Sequence, residues 1–257
     1  MTAGHSFSLA TFNIHHGTDE SGRPSLDGQA DLLREMNADI VALQECDVMV
    51  ARSGFVDQIA RLAALALYPY HAFGSNVDLD GGKYGCAILS RFSLEGVTNT
   101  PVPSSDMRAA RVHIDGRTHR HEQRGVLEAT IALPDGPVTM FVTHASLWPE
   151  ERISGSKLIL SRLTDISTPA VVAGDFNVGD QDAPEIVMLR ATMFDAHVET
   201  GSSGDTYPSS APRWRIDYVM ARGMRAIDAS VVPTQTSDHF ALLAKFELLF
   251  KITPSPS

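Results

Sequence analysis

At 257 residues, 43% of them hydrophobic, the chain is long enough to bury a sizeable core, and a formal charge of −10 argues against a protein that grips a polyphosphate backbone through a broad basic face. No run approaches the roughly 20 apolar residues of a membrane span. The start "MTAGHSFSLATFNIHH" lacks the basic region and long apolar stretch of a secretion signal, so the cytoplasm is the expected compartment, with the periplasm left open.

Short alternating or apolar runs bordered by turn residues recur along the chain. "FSLATFNI", "DIVALQE", "GCAILSRF", "GVLEATIAL", "VTMFVTHA", "AVVAGDFN", "RIDYVMA" and "FALLAKFEL" are each predicted to be strands. Helical patterns lie between some of them. From Asp27 to Met36, the residues Ala30, Leu33 and Met36 share a face; "DQIARLAALAL" spaces Ile59, Leu62, Ala63 and Leu67 alike; "ERISGSKLILSRL" is a third helix. Hairpin-like neighbours mixed with crossovers predict an α/β (α+β) protein with mixed sheets. One domain over residues 1–250 is expected, followed by a flexible tail, 251–257. Cys46 and Cys86 supply neither a disulfide framework nor a zinc spacing and read as buried thiols.

Two connections read as loops. Residues 99–124 hold Arg108, Arg111, Arg117, Arg120 and Arg124 with His113, His119 and His121; residues 201–215 form the other. A charged run is usually solvated surface, here a loop or hairpin, but in an acidic chain the first is also the one local anion trap. The preference for Arg over Lys suits bidentate recognition of carboxylate or phosphate at particular places.

Several predicted strands end in groups that a core does not favour. "TFNIHHG" ends on Asn13, His15 and His16, "VALQE" on Glu45, "FVTHA" on His144, and "VAGDFN" on Asp175 and Asn177. "RIDYV" carries Asp217, and "TSDHF" opens a strand with Asp238 and His239. An unpaired buried carboxylate is costly, so any one of these is more often structural than catalytic. Together, at strand ends where the sites of layered α/β proteins collect, they point to function. The set is rich in hard oxygen donors, poor in thiolate, and without an HExxH spacing, which suits magnesium or manganese better than zinc.

Taken in order, "TFNIHHG", "DIVALQE", "YGCAILSR", "VTHASL", "VAGDFN", "WRIDYVM" and "TSDHFAL" make the chain resemble the endonuclease/exonuclease/phosphatase superfamily and, within it, the small bacterial members. That superfamily includes deoxyribonuclease I, abasic-site endonucleases, inositol-polyphosphate phosphatases and neutral sphingomyelinases. The resemblance implies a four-layer sandwich, two packed mixed β-sheets flanked by helices. It also implies Glu45 as the main metal carboxylate, with Asn13 and Asp238 completing or water-bridging the metal shell. Asp175 would orient or deprotonate the attacking water, and Asn177 would hold that water or the phosphoryl oxygens. His239 would donate to the scissile phosphate with Asp217 fixing its tautomer, and His144 would sit on the other side of the phosphate. Arg52 and Arg124 are candidate phosphate contacts, while a turn beside Gly17 explains His15 and His16 as well as a site does.

The acidic balance and the scarcity of aromatic residues outside the strands separate the chain from the DNA-gripping members. The expected activity is a phosphodiesterase dependent on Mg2+ (or Mn2+), acting on a small-molecule or lipid-headgroup phosphoester. A metal-dependent nuclease is the alternative, with nucleic acid disfavoured by net charge. A catalytically silent binding protein is a third reading, against which stand Glu45, Asp175, Asn177, Asp238 and His239 all being present.

Overall fold

In β1 (Ser6–Asn13), Leu9 joins one apolar cluster while Ala10 and Phe12 join another. The strand period of two sends alternate side chains to opposite faces, so a strand apolar at both must be covered on both sides. The computed structural model describes residues 6–104, 110–112 and 118–249 and shows what covers it. After β1 come a 3-10 turn (His15–Gly17), α1 (Leu26–Met36), β2 (Ile40–Val48), α2 (Gln58–Leu65), and a hairpin of β3 (Tyr70–Leu79) with β4 (Gly82–Ser90). Next are β5 (Leu94–Pro101), a small hairpin of β6 (Ala110–Val112) with β7 (Thr118–Arg120), β8 (Gly125–Leu133), β9 (Gly136–His144) and α3 (Pro149–Thr164). Then follow β10 (Ala170–Asp175), α4 (Pro184–Arg190), β11 (Phe194–Asp195), α5 (Ala196–Glu199) and β12 (Asp217–Arg222). The chain returns to the first sheet through β13 (Met224–Val232) and β14 (Ala241–Leu248).

One six-stranded sheet has the order β13-β14-β1-β2-β4-β3, the other β11-β12-β10-β9-β8-β5. Each is mixed about a parallel central pair, β1 with β2 and β10 with β9. Leu9, Ile40 and Ile88 meet Leu127, Met140 and Val171 between the sheets. Phe12, Leu33, Leu43 and Leu62 seal the first sheet against α1 and α2, and Val172, Ile159, Leu163 and Ile186 seal the second against α3 and α4. The result is a four-layer sandwich of two mixed sheets between helices. Cys46 and Cys86 are free, buried thiols. Among the described residues no helix is long and apolar enough to cross a membrane.

Three local expectations need correction. Residues 99–124 do not begin as a loop, because 99–101 complete β5, with Pro101 opposite Gly125, while the pairing of β6 with β7 fits the hairpin reading of the segment. As an edge strand β5 is free to be polar and to hold a proline, so it carries little strand signal. Leu67 is not on the buried face of α2: the helix ends at Leu65, and Leu67 turns away at φ 62 with its side chain in solvent. Asp238 and His239 do not open a strand, since β14 begins at Ala241 and the preceding bend is held by Ser237 Oγ donating to Asn13 O at 2.7 Å. Arg108, Arg117 and His113, the side chains of Arg111, His119 and Arg120, and the tail 251–257 lie outside the described residues.

Candidate active site

Alternation places the site. Leu9 faces the second sheet, so Asn13, four residues on, faces it too. By the same period Val171 and Ala173 lead to Asp175, Met140 and Val142 to His144, and Val219 and Ala221 back to Asp217. The inter-sheet face of each strand thus ends in a polar group at one rim. In the register of the second sheet Asp175 stands opposite both His144 and Asp217. Asn13 crosses between the sheets, its Nδ2 donating to Glu45 Oε1 at 3.1 Å and to Asp175 Oδ2 at 3.0 Å.

Glu45 reaches this rim through a bulge. Leu43 pairs with Ala87 and Cys46 with Gly85, so Gln44 and Glu45 together oppose only Cys86. Leu43 and Cys46 both pack toward the helices, and Glu45, at φ 59, turns the other way. The turn after β1 is equally irregular, with His15 at φ 45, His16 at φ 44 and Gly17 at φ 81. Their imidazoles approach the acids, His15 Nδ1 at 3.9 Å from Asp238 Oδ1 and His16 Nδ1 at 3.7 Å from Glu45 Oε2.

Asp175 is the hub. Its Oδ1 accepts from Asn177 N at 2.8 Å, while its Oδ2 has Asn13 Nδ2 at 3.0 Å, His144 Nε2 at 3.5 Å and His239 Nε2 at 3.7 Å. Gly174 makes the approach possible, because a Cβ there would lie 1.9 Å from Thr143 O. Asn177, left-handed at φ 52, spends Nδ2 on Ala145 O. The other nitrogen of His239, Nδ1, lies 2.9 Å from Asp217 Oδ2, which leaves Nε2 turned toward Asp175.

The electrostatics separate these groups. Burial opposes ionisation of Glu45, yet His16, His144, His15 and Asn13 outweigh it and hold its carboxyl well below the usual range. Burial pushes Asp175 up to about 7, with Asp217 adding to the rise and His239 opposing it. Burial also raises Asp238. For His239 burial favours the neutral ring, but Asp217, Asp175 and Asp238 prevail and push it up to about 10. His144 goes the other way, held well below the ordinary value by burial and by Arg124. Arg124 Nη1 is 3.2 Å from His144 Nδ1. A guanidinium only donates, so Nδ1 must accept and the neutral ring carries its proton on Nε2, the nitrogen facing Asp175.

Of the residues singled out in the sequence, the structure brings together Asn13, Glu45, His144, Asp175, Asp217, Asp238 and His239, with Asn177 at the rim and Arg124 behind His144. Arg52 is spent elsewhere, bonding Asp47 twice at 2.8 Å and lying over the Tyr84 ring. Sequence reasoning missed Tyr207, whose ring centroid is 4.8 Å from that of His239, and Thr206, whose Oγ1 accepts from Asp217 N at 3.4 Å. Both come from the long connection before β12, where no periodicity marks them. Two histidines in front of a glycine were the available sign of the strained turn.

The donor set fits a hard divalent cation. Glu45 is held ionised, and Asn13 Oδ1 gives one lone pair to His15 N at 3.0 Å and keeps the other. Ligand atoms of Asp175, Asp217 and His239 also lie within 4.8 Å of one another, but there the imidazole Nδ1 is already committed to Asp217, so a hydrogen-bonded relay describes that trio better.

A family model, the Endonuclease/Exonuclease/phosphatase family, matches residues 10–239. The Escherichia coli (strain K12) protein YbhP is 28% identical over 266 residues, covering 96% of this chain and 99% of its own. Among solved structures, an endonuclease/exonuclease/phosphatase from Beutenbergia cavernae has a TM-score of 0.72 and 23% identity, covering 95% of this chain and 72% of that one. The Bacteroides thetaiotaomicron mannosyl-6-phosphatase has a TM-score of 0.73 and 16% identity, covering 95% of this chain and 100% of its own. At such identities these two likenesses speak for the fold, and the family match for descent. The chain belongs to the endonuclease/exonuclease/phosphatase family, whose members hydrolyse phosphoester bonds.

Proposed function

We propose that the protein is a divalent-metal-dependent phosphodiesterase that hydrolyses a small or lipid-derived phosphoester by attack of water. The observation that carries this reading is the convergence of Asn13, His144 and His239 nitrogens on one oxygen of Asp175. A base, two flanking donors and an adjacent ionised carboxylate are what attack on a phosphate diester requires.

In this reading Glu45, Asn13 and Asp238 hold Mg2+ or Mn2+, on which members of the family generally depend. The bound cation supplies charge stabilisation to the phosphoryl oxygens. Asp175 takes the proton of the attacking water as the new P–O bond forms, the bond to the leaving oxygen breaks, and that oxygen takes up a proton from solvent to depart as the alcohol while Asp175 returns its own to solvent. His239, kept cationic by Asp217, donates from Nε2 to a phosphoryl oxygen. His144 donates from its own Nε2 on the other side, its tautomer set by Arg124. The fold neighbour named as a mannosyl-6-phosphatase supports a substrate of small-molecule size.

Turnover of bis(4-nitrophenyl) phosphate tests the reading. Activity should require Mg2+ or Mn2+, vanish with EDTA and return on adding back the ion. Activity untouched by exhaustive chelation contradicts the metal assignment. Cutting of plasmid DNA at about 0.15 M salt faster than of the small diester favours the nuclease instead.

A further inference from the structure

His16 borders more than the acids. Its Nδ1 lies 3.7 Å from Glu45 Oε2, and the same residue lines a groove of about 540 Å³ that also takes in Arg52 and Arg61. That volume falls within the roughly 300–1,000 Å³ of small-molecule sites. The groove is preformed. Gln58 Nε2 donates to His16 O at 2.7 Å and Gln58 Oε1 accepts from Asp47 N at 2.9 Å, fixing the left-handed turn against α2. Left-handed backbone at two successive non-glycine residues is costly and persists where the surroundings enforce it, commonly at functional sites.

The walls narrow what could bind. No Phe, Tyr or Trp is among the described lining residues, so a nucleobase finds no aromatic platform. Each guanidinium already faces a carboxylate, Arg52 with Asp47 at 2.8 Å and Arg61 with Asp27 at 2.7 Å, so no uncompensated positive charge awaits a second phosphate. The apolar lining, Pro24, Leu26 and Val56, is interleaved with Ser25, Asp27, Ser53, Gln58 and Arg61, so the wall is not a continuous apolar surface. What remains is an alternation of donors and acceptors. Both bonds from Arg61 fall on Asp27 Oδ1, leaving Oδ2 to accept, and the pair is exposed enough to take a new partner cheaply.

Building on the phosphodiesterase reading, we propose that this groove receives a polyhydroxy alcohol of the substrate, such as a sugar, whose hydroxyls donate to Asp27 and accept from Arg61 while its phosphate lies at Asp175. Arg61 and Asp27 are then specificity-determining residues.

The test compares three chromogenic diesters with the same 4-nitrophenyl leaving group, carrying ethanol, glucose through its 6-hydroxyl, or thymidine through its 5'-hydroxyl. The glucosyl diester should have the highest kcat/KM, and Arg61→Gln or Asp27→Asn should lower the glucosyl-to-ethyl ratio about tenfold, the effect of losing one charge-assisted hydrogen bond. The same change at Arg225, an exposed partner of Glu247 on β13, should leave that ratio in place. Equal use of the ethyl and glucosyl diesters, an unmoved ratio in both groove variants, or preference for the thymidine diester overturns the assignment. No turnover of any diester with Mg2+ overturns the phosphodiesterase reading and this assignment with it.

Discussion

In the second sheet His144, Asp175 and Asp217 stand side by side in unbroken register, whereas in the first sheet Glu45 reaches the same rim only through a bulge, and His15 and His16 only through left-handed backbone. The regular half fixes His144, Asp175 and Asp217 at strand spacing, and His239, entering from the bend before β14 of the first sheet, closes onto Asp217 at 2.9 Å. The irregular half turns Glu45 out of alternation, onto the rim that Asn13 reaches in phase along β1. In the proposed function the water-activating Asp175 and the His239 partner Asp217 stand in the regular half, and Glu45, the main metal carboxylate, in the irregular one.

The largest effect should come from breaking the relay. His239→Gln should cost about 10²- to 10⁴-fold in kcat/KM, and adding Asp217→Asn should cost little more, since the two act as a unit. Fully additive losses would mean that the 2.9 Å contact between them carries no catalytic role.

Backbone changes should divide the halves next. Gly174→Ala forces a Cβ against Thr143 O and should lower unfolding stability by about 2–4 kcal/mol. His16→Gly relieves a left-handed residue and should shift stability by no more than about 1 kcal/mol. Denaturant unfolding of both variants measures this, and equal losses would erase the distinction between a strand end in register and a turn under strain.

A smaller loss is expected at Arg124. Arg124→Met removes the donor to His144 Nδ1 and should reduce kcat about tenfold, with Arg124→Lys recovering part of it. Nitrogen-15 shifts of the His144 ring should report an Nε2–H tautomer in the native protein and a mixture in the methionine variant. An unchanged tautomer would leave Arg124 a packing role only.

The gentlest probe is pH. Burial disfavours a charge on His239, but Asp217, Asp175 and Asp238 raise it from 6.5 to about 10. Its stabilising contribution is therefore complete below pH 6.5 and lost as pH rises through about 10. The alkaline limb of kcat/KM should follow the same group, and Asp217→Asn should move that limb to lower pH. An alkaline limb that stays in place would show that another group sets it.

The same contrast explains what could be read from the chain. The eight predicted strands correspond to β1, β2, β4, β8, β9, β10, β12 and β14, all interior to their sheets; β3, β5, β11 and β13, the edge strands of the two six-stranded sheets, went unread. Interior strands are covered on both faces and so become apolar runs, whereas an edge such as "LEGVTNTP" is half solvated and looks like a loop. Asp175 and His144 were visible because each follows an apolar run in phase. The direction of Glu45 was not, since a bulge depends on Cys86 and Gly85 across the ladder rather than on neighbours in sequence. Nor did anything local show that Arg52 would be taken by Asp47, five residues before it, while Arg124 backs His144.

The division of labour is tested most directly by measuring Mn2+ affinity by titration calorimetry alongside diester turnover in two variants. Asp175→Asn should bind Mn2+ as the native protein does and lose at least about 10²-fold in turnover, because the amide cannot accept the proton of water. Glu45→Gln should lose both. Loss of Mn2+ binding in Asp175→Asn, or its retention in Glu45→Gln, would contradict the account.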